Sequence, residues 1–329
     1  MNFKFLLLIL GLFRTVCQDW IPSNHSAAGI LDYAHNPILH ATNIGEWILG
    51  DPTVLRVNNT IHLWANEIFH GITHYVANAS TPYRFIKAER SVWMPGSVRA
   101  FAMFNEDKSG ILLFYEQYQP PFFEKSHIRF IETTSTINDL SFKWTPSKDV
   151  IWPKLDWETQ NGARVGNPFV MFHKQSNKWR LFYSASNIFL SDSDIKEPKY
   201  IGLYTSVSPY GPWIRASNMP VQINNKGYDT IGFGSIKQFH NITLCNRITL
   251  HNGSTGSTIS ELVEVGNSGL VWRVVRTFIA PTLEQGSWKE SYVYGFDLIA
   301  YDDHWLIYYN ARNGWKSAKE TIGVSKYQL

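Results

Sequence analysis

One pattern returns five times along this chain: a short apolar strand, a polar turn, and a second strand that closes on aromatic or other apolar residues. The copies read DPTVLRVNNTIHLWANE from Asp51, AFAMFNEDKSGILLFYEQ from Ala100, NPFVMFHKQSNKWRLFYSAS from Asn167, GFGSIKQFHNITLCNRI from Gly232 and GFDLIAYDDHWLIYYNAR from Gly295. A small sheet cannot bury both of its faces alone, so a repeated sheet unit must stack on its own copies. The repeats therefore predict an all-β chain folded as a five-bladed β-propeller, with blades starting near residues 46, 98, 164, 229 and 291. A β-sandwich is the competing architecture, but matching strand order in near-equal repeats favours the ring.

Each hairpin runs on into further β-rich sequence. GITHYVANASTPYRF follows the first, HIRFIETTSTINDLSFKW the second, KYIGLYTSVSPYGPWIRA the third and ETIGVSKYQL the fifth, while STISELVEVGNSGLVWRVV supplies two strands to the fourth. Turn residues interrupt these stretches too often for helices of ordinary length. The 329 residues, 44% hydrophobic and 17% charged, suffice for a large core. No linker-like shift divides them, so residues 18–329 read as one domain, in which roughly Asp19 to Asn36 wraps the first blade or helps to close the ring. The net charge of +3 is scattered, which sets nucleic acid aside as a partner.

MNFKFLLLILGLFRTVCQ has a basic start, an apolar run from Phe5 to Phe13 and small residues at Thr15 and Cys17. That is the layout of a secretory signal over residues 1–17, and no later stretch is apolar enough to anchor the chain in a membrane. The expectation is a secreted, monomeric protein. Sequons at Asn24, Asn58, Asn78, Asn241 and Asn252 agree with it, with Asn58 and Asn241 placed in hairpin turns. Once Cys17 leaves with the signal, Cys245 has no partner for a disulfide and is expected to be buried and inert.

Propellers concentrate chemistry where their innermost strands converge. Aligned hairpins put Asp51 there in the first repeat, Arg99 in the second, Asn167 in the third, Gly232 in the fourth and Gly295 with nearby Asp297 in the fifth. This polar, nearly charge-balanced set suits an uncharged ligand rich in hydroxyls, and it is not a metal cage. Trp47, Trp93, Trp157 and Trp315 lie in or near loops, where indole faces stack on sugar rings. The expected partner is a carbohydrate.

The segments NPILHATNIGEWILGDPTVLRVNNTIHLWANE, GNPFVMFHKQSNKWRLFYSAS and YGFDLIAYDDHWLIYYNAR with ETIGVS resemble the five-bladed propeller glycoside hydrolases of family 43 and relatives, which act on arabinosides, xylosides and fructosides. The resemblance implies a glycosidase in which Asp51, of Asp51-Pro52, is the general base. In such inverting hydrolysis one carboxylate deprotonates water while a carboxylic acid opposite protonates the leaving oxygen. The family's third-blade Asp-Pro, which orients that acid, is matched by Asn167-Pro168, and the fourth-blade acid itself is matched only by the region of Gly232. The chain resembles a divergent member.

Three readings follow. The acid comes from Asp229, Glu116 or Asp297; or the site has its own constellation, with Glu67, Arg312 and Glu320 lining the mouth beside Trp47 and Arg99; or the propeller binds glycans without cutting them. His70 and His74 lack the rest of a zinc motif, no G-x-S-x-G elbow or nucleotide-binding loop occurs, and no organic cofactor is expected.

Overall fold

The computed structural model describes residues 19–41, 48–67, 70–88, 95–120, 122–133, 143–224, 235–239, 242–264 and 268–329. Two strands precede the first repeat, β1 (Trp20–Pro22) and β2 (Ile30–Tyr33). Blade one is β3 (Leu49–Val57), β4 (Thr60–Glu67), β5 (Gly71–Asn78) and β6 (Ile86–Lys87); blade two is β7 (Ser97–Phe104), β8 (Ile111–Gln119), β9 (Phe122–Glu132) and β10 (Lys148–Ile151). Blade three follows a single helical turn, α1 (Asp156–Thr159), with β11 (Val165–His173) and β12 (Lys178–Ala185). A small extra hairpin, β13 (Ile188–Leu190) and β14 (Ile195–Glu197), then intervenes before β15 (Tyr200–Ser206) and β16 (Ile214–Arg215) complete the blade. β17 (Gln222–Asn224) runs parallel to the outer strand of blade four, which is β18 (Ile236–Phe239), β19 (Ile242–His251), β20 (Ser254–Glu264) and β21 (Val271–Ile279). Blade five is β22 (Tyr292–Ala300), β23 (His304–Arg312) and β24 (Glu320–Gln328).

The chain is thus an all-β, five-bladed propeller, and packing closes its ring. Trp64, Ile72, Leu113 and Tyr115 fill the space between blades one and two. Phe114, Phe169, Phe182, Ile236 and Trp272 join blades two, three and four, with Cys245 buried among them. Val293, Phe296 and Tyr309 pack on Leu244 and Ile259 between blades four and five, and Val54, Leu63, Leu306 and Tyr308 return from blade five to blade one. Second strands such as β4 and β23 are buried almost without alternation, because neighbouring blades cover both of their faces. Hydrogen bonds tie the inner strands directly: Thr53 Oγ1 donates to Asp297 Oδ2 (2.7 Å) and accepts from Ala102 N (2.9 Å).

Blade five takes its outer strands from the start of the chain. β2 pairs antiparallel with β24, through Ile30 with Tyr327 and Asp32 with Ser325, and Tyr33 stacks on Tyr83 after blade one's third strand, so the N-terminal segment completes blade five and helps to close the ring. Asp32 holds the junction: it accepts from Ser325 Oγ (2.6 Å) and from the Lys289 ammonium (2.6 Å), which is 3% exposed. Removing one partner of such a pair strands the other charge in the interior, at about 3–5 kcal/mol. Asp32→Ala is therefore expected to lower the melting temperature by on the order of 10 °C in thermal denaturation, and adding Lys289→Met should restore most of the loss. An unchanged melting temperature in Asp32→Ala would contradict this role.

Candidate functional site

The inner strands of blades one, two, three and five open with the same irregularity. Registers slip between Gly50 and Thr53, Val98 and Phe101, Gly166 and Phe169, and Val293 and Phe296, so two residues face one on the second strand. Such bulges re-aim side chains, here toward the axis. At the first bulge position Asp51, Arg99 and Asn167 have φ of 48°, 52° and 47°. Asp and Asn tolerate this left-handed conformation, whereas for Arg99 it is strained, and strain of this kind persists where surrounding structure enforces it, often at functional sites. The fifth-blade counterpart is Tyr294; Gly295, which the sequence aligns there, is one residue further on. That glycine has its own reason: a Cβ at Gly295 would lie 2.7 Å from the Asp51 Cα.

Asp51, Arg99, Asn167, Phe296 and Lys237 together line a small cavity at the axis. The Asp51 carboxylate is 20% exposed, and the Asn66 amide nitrogen donates to its Oδ2 (2.9 Å). Burial raises its pKa to about 6; Arg99, with Nε 3.7 Å away, pulls down, and Glu320 and Glu116 push up. Glu116 differs. Fully buried, it accepts from Arg164 Nε (2.8 Å) and Nη2 (3.3 Å) and from Arg99 Nη1 (3.2 Å). Burial opposes its ionisation, but the two guanidiniums prevail and hold its carboxyl below the usual range. Glu320 accepts from Tyr294 OH (2.7 Å) and Asn310 Nδ2 (3.2 Å), while Asn310 Oδ1 accepts from Asp51 N (3.2 Å). Arg312 lies across Glu320 at 3.7 Å with its guanidinium over Tyr292, and its Nε and Nη1 are buried without a hydrogen bond. The Asn167 Nδ2 is likewise buried and unused. These donors have no acceptor among the described residues.

The β13–β14 hairpin lies at the same end of the ring, because it leaves from the end of β12. Leu190 packs on Ile248 of blade four, Asp192 accepts from Thr255 N, and Ser193 Oγ meets Tyr292 OH of blade five (2.7 Å). Lys196 Nζ reaches back to Glu124 of blade two (2.8 Å). The hairpin therefore straps the mouth. Along it Ile188, Leu190, Ile195 and Glu197 share one face, since Ile188 pairs with Glu197 and Leu190 with Ile195. Phe189 and Lys196 take the other, exposed face. Burial raises the Glu197 pKa to about 7, with Arg99 and Arg164 opposing and Glu320 and Asp51 reinforcing the rise.

The structure brings Asp51, Arg99, Glu116, Asn167, Arg312 and Glu320 into one neighbourhood at the axis. Glu67 is fully buried and accepts from Tyr75 OH (3.2 Å), so it is packed and does not line the mouth. Asp297 is a correction. Its Oδ2 accepts from Thr53 Oγ1 (2.7 Å) and Val54 N (3.0 Å) and faces Lys237 Nζ (3.3 Å), so it braces inner strands below the cavity and has no part left for a ligand. Asp229, Trp47, Trp93, Gly232 and Asn241 lie outside the described residues. Trp157 Nε1 donates to Asn218 O (2.8 Å) and its ring packs on Tyr183, whereas Trp315 stands edge-on to Tyr292. The repeats did not reveal Glu197, Arg164 or Tyr294. The available signal was the stretch 186–199, which separates β12 from β15 where the other blades have shorter connections.

No protein-family profile and no characterised protein sequence matches the chain. Solved structures do share its fold. An N-acetylgalactosamine deacetylase from F. plautii superposes with a TM-score of 0.61 at 10% identity, over 93% of this chain and 95% of that one. A structure described as a glycoside hydrolase gives 0.61 at 12% identity, over 100% of this chain and 96% of that one. The catalytic domain of a GH62 alpha-L-arabinofuranosidase from Coprinopsis cinerea gives 0.59 at 11% identity, over 88% and 95%. The likeness is one of fold, and it extends over nearly the whole of each partner: this chain has the architecture on which those carbohydrate-active proteins are built.

Proposed function

We propose that this protein is a secreted glycoside hydrolase that cleaves glycosidic bonds of an arabinose-, xylose- or related sugar-containing glycan, with Asp51 as general base. The observation that carries this reading is the Asp51 carboxyl itself, with its pKa raised to about 6 while it keeps contact with solvent in the axial cavity. A general base works best when its pKa lies near the operating pH. In the proposed reaction Asp51 takes a proton from water, the water oxygen bonds to the anomeric carbon, and the glycosidic bond breaks on the opposite face. Asn167 Nδ2, which lines the cavity and has no acceptor among the described residues, is placed to donate to a ring hydroxyl. Structural neighbours named for arabinofuranosidase activity support the choice of substrate class.

The test is the purified protein against 4-nitrophenyl α-L-arabinofuranoside, 4-nitrophenyl β-xyloside, arabino- and xylo-oligosaccharides, galactosides and fructans, with reducing sugar and chromophore measured. Release from at least one is expected. Binding without release would instead favour the glycan-binding reading, which the missing negative charge at Asn167 supports. Secretion belongs to the same proposal. Asn24, Asn58, Asn78 and Asn252 are all exposed, with Asn58 in the β3–β4 turn and Asn252 in the β19–β20 turn. Protein from the culture medium of a eukaryotic host should lose mass on N-glycosidase digestion; an unchanged mass argues against their use.

A further inference from the structure

We propose that Glu197, carried over the cavity by the β13–β14 strap, is the general acid that protonates the leaving oxygen. This rests on the hydrolase reading above and supplies the group that the repeats leave vacant.

The strap is built in a way that a surface loop has no need of. Its inward face is apolar at Ile188, Leu190 and Ile195, and the one ionisable residue on that face is Glu197. A carboxylate next to aliphatic side chains is unfavourable unless something offsets it, yet none of the largest influences on Glu197 is a hydrogen bond; all but burial are charges acting at a distance. Those charges come from four different blades: Asp51 of the first, Arg99 of the second, Arg164 at the start of the third and Glu320 of the fifth. Geometry puts it beside the same groups: Glu197 pairs with Ile188, next to Asn187, whose Oδ1 accepts from Arg164 Nη1 (2.8 Å), and that guanidinium binds Glu116. Contacts to blades two, four and five fix it there, through Lys196 with Glu124, Leu190 with Ile248 and Ser193 with Tyr292.

The other carboxyl groups are less suited. Glu116 is held ionised by two guanidiniums and has no proton to give. Glu320 is already an acceptor for Tyr294 and Asn310. Glu197 is pushed up to about 7, above Asp51 at about 6, which sets the first to hold a proton while the second has lost one. In the reaction the Glu197 proton passes to the glycosidic oxygen as its bond to the anomeric carbon breaks, and Asp51 receives one from the attacking water. Both groups then return to their starting states by exchange with solvent, so one water is consumed per bond cleaved.

The test compares wild type and Glu197→Gln on 4-nitrophenyl arabinofuranoside or xyloside, whose leaving group needs no proton, and on the matching oligosaccharide, whose leaving group does. The variant is expected to stay within about tenfold of wild type on the activated substrate and to lose about 100-fold or more in kcat on the oligosaccharide. Wild-type activity should fall below pH ~6 as Asp51 protonates and above pH ~7 as Glu197 ionises, and the alkaline fall should vanish in the variant. Equal losses on both substrates, no loss on either, or a lowered melting temperature would each overturn the assignment. A wild type that releases no sugar from any probe overturns the hydrolase reading and this role with it.

Discussion

Asp51→Asn is expected to lower kcat by on the order of 1,000-fold on every substrate the protein cleaves, with KM little changed. The amide keeps the volume of the carboxyl and can still meet Arg99 and the Asn66 amide, so ground-state binding survives. What it loses is the ability to accept a proton from water, and that loss falls on the transition state. Unlike the expected behaviour of Glu197→Gln, the deficit should be the same for activated and natural leaving groups, because water activation is needed for both. Circular dichroism and the melting temperature should match wild type, since no buried charge is left unpaired by removing one that is 20% exposed. Activity within tenfold of wild type would remove Asp51 from the mechanism.

Glu116→Ala should be the most damaging single change to stability. The side chain is fully buried and neutralises two guanidiniums, of which Arg164 is 4% exposed. Their removal from water was tolerable only because this carboxylate faces both, and an unpaired buried charge costs about 3–5 kcal/mol. A void where the side chain sat adds to that. A fall of 10 °C or more in the melting temperature is expected, along with lost activity, because Arg99 would turn toward Asp51 and hold it ionised too firmly to work as a base. The neighbouring Gly166 shows how tightly the group is held: a Cβ there would fall within 3 Å of three Glu116 atoms. Retention of the wild-type melting temperature in Glu116→Ala would show that the arginines find other partners.

The blades were legible because hairpins are local. Alternating apolar residues, turn residues at Asn58, Lys108 and Asn252, and paired aromatics at the ends of second strands all express short-range rules. Those rules put Asp51, Arg99 and Asn167 at the starts of inner strands, and these three line the axial cavity. Less legible was anything that broke the repeat or joined distant parts of it. Aligning the fifth copy on its glycine moved the axis residue from Tyr294 to Gly295, because a bulge shifts register without changing the sequence pattern. Asp297 reads as a polar residue at the axis, yet its neighbours Thr53 and Lys237 come from other blades, and only the folded ring shows that they use it up. Glu197 lies in an insertion with no counterpart in the other copies, so no comparison between repeats could single it out.

The pairing of β2 with β24 also bears on how this protein comes to be folded. The strand that finishes the last blade is made before any of the five blades, so the ring cannot close until β24 has been made. Contacts of such long sequence separation form slowly, and until they form the edge of β24 and the apolar sides of blades one and five stay uncovered. With Cys245 buried and free, no disulfide among the described residues locks the seam in the meantime. The finished ring depends on this join: a cut between β2 and β3, far in sequence from Asp51's partners in blade five, would free the strand that braces those partners.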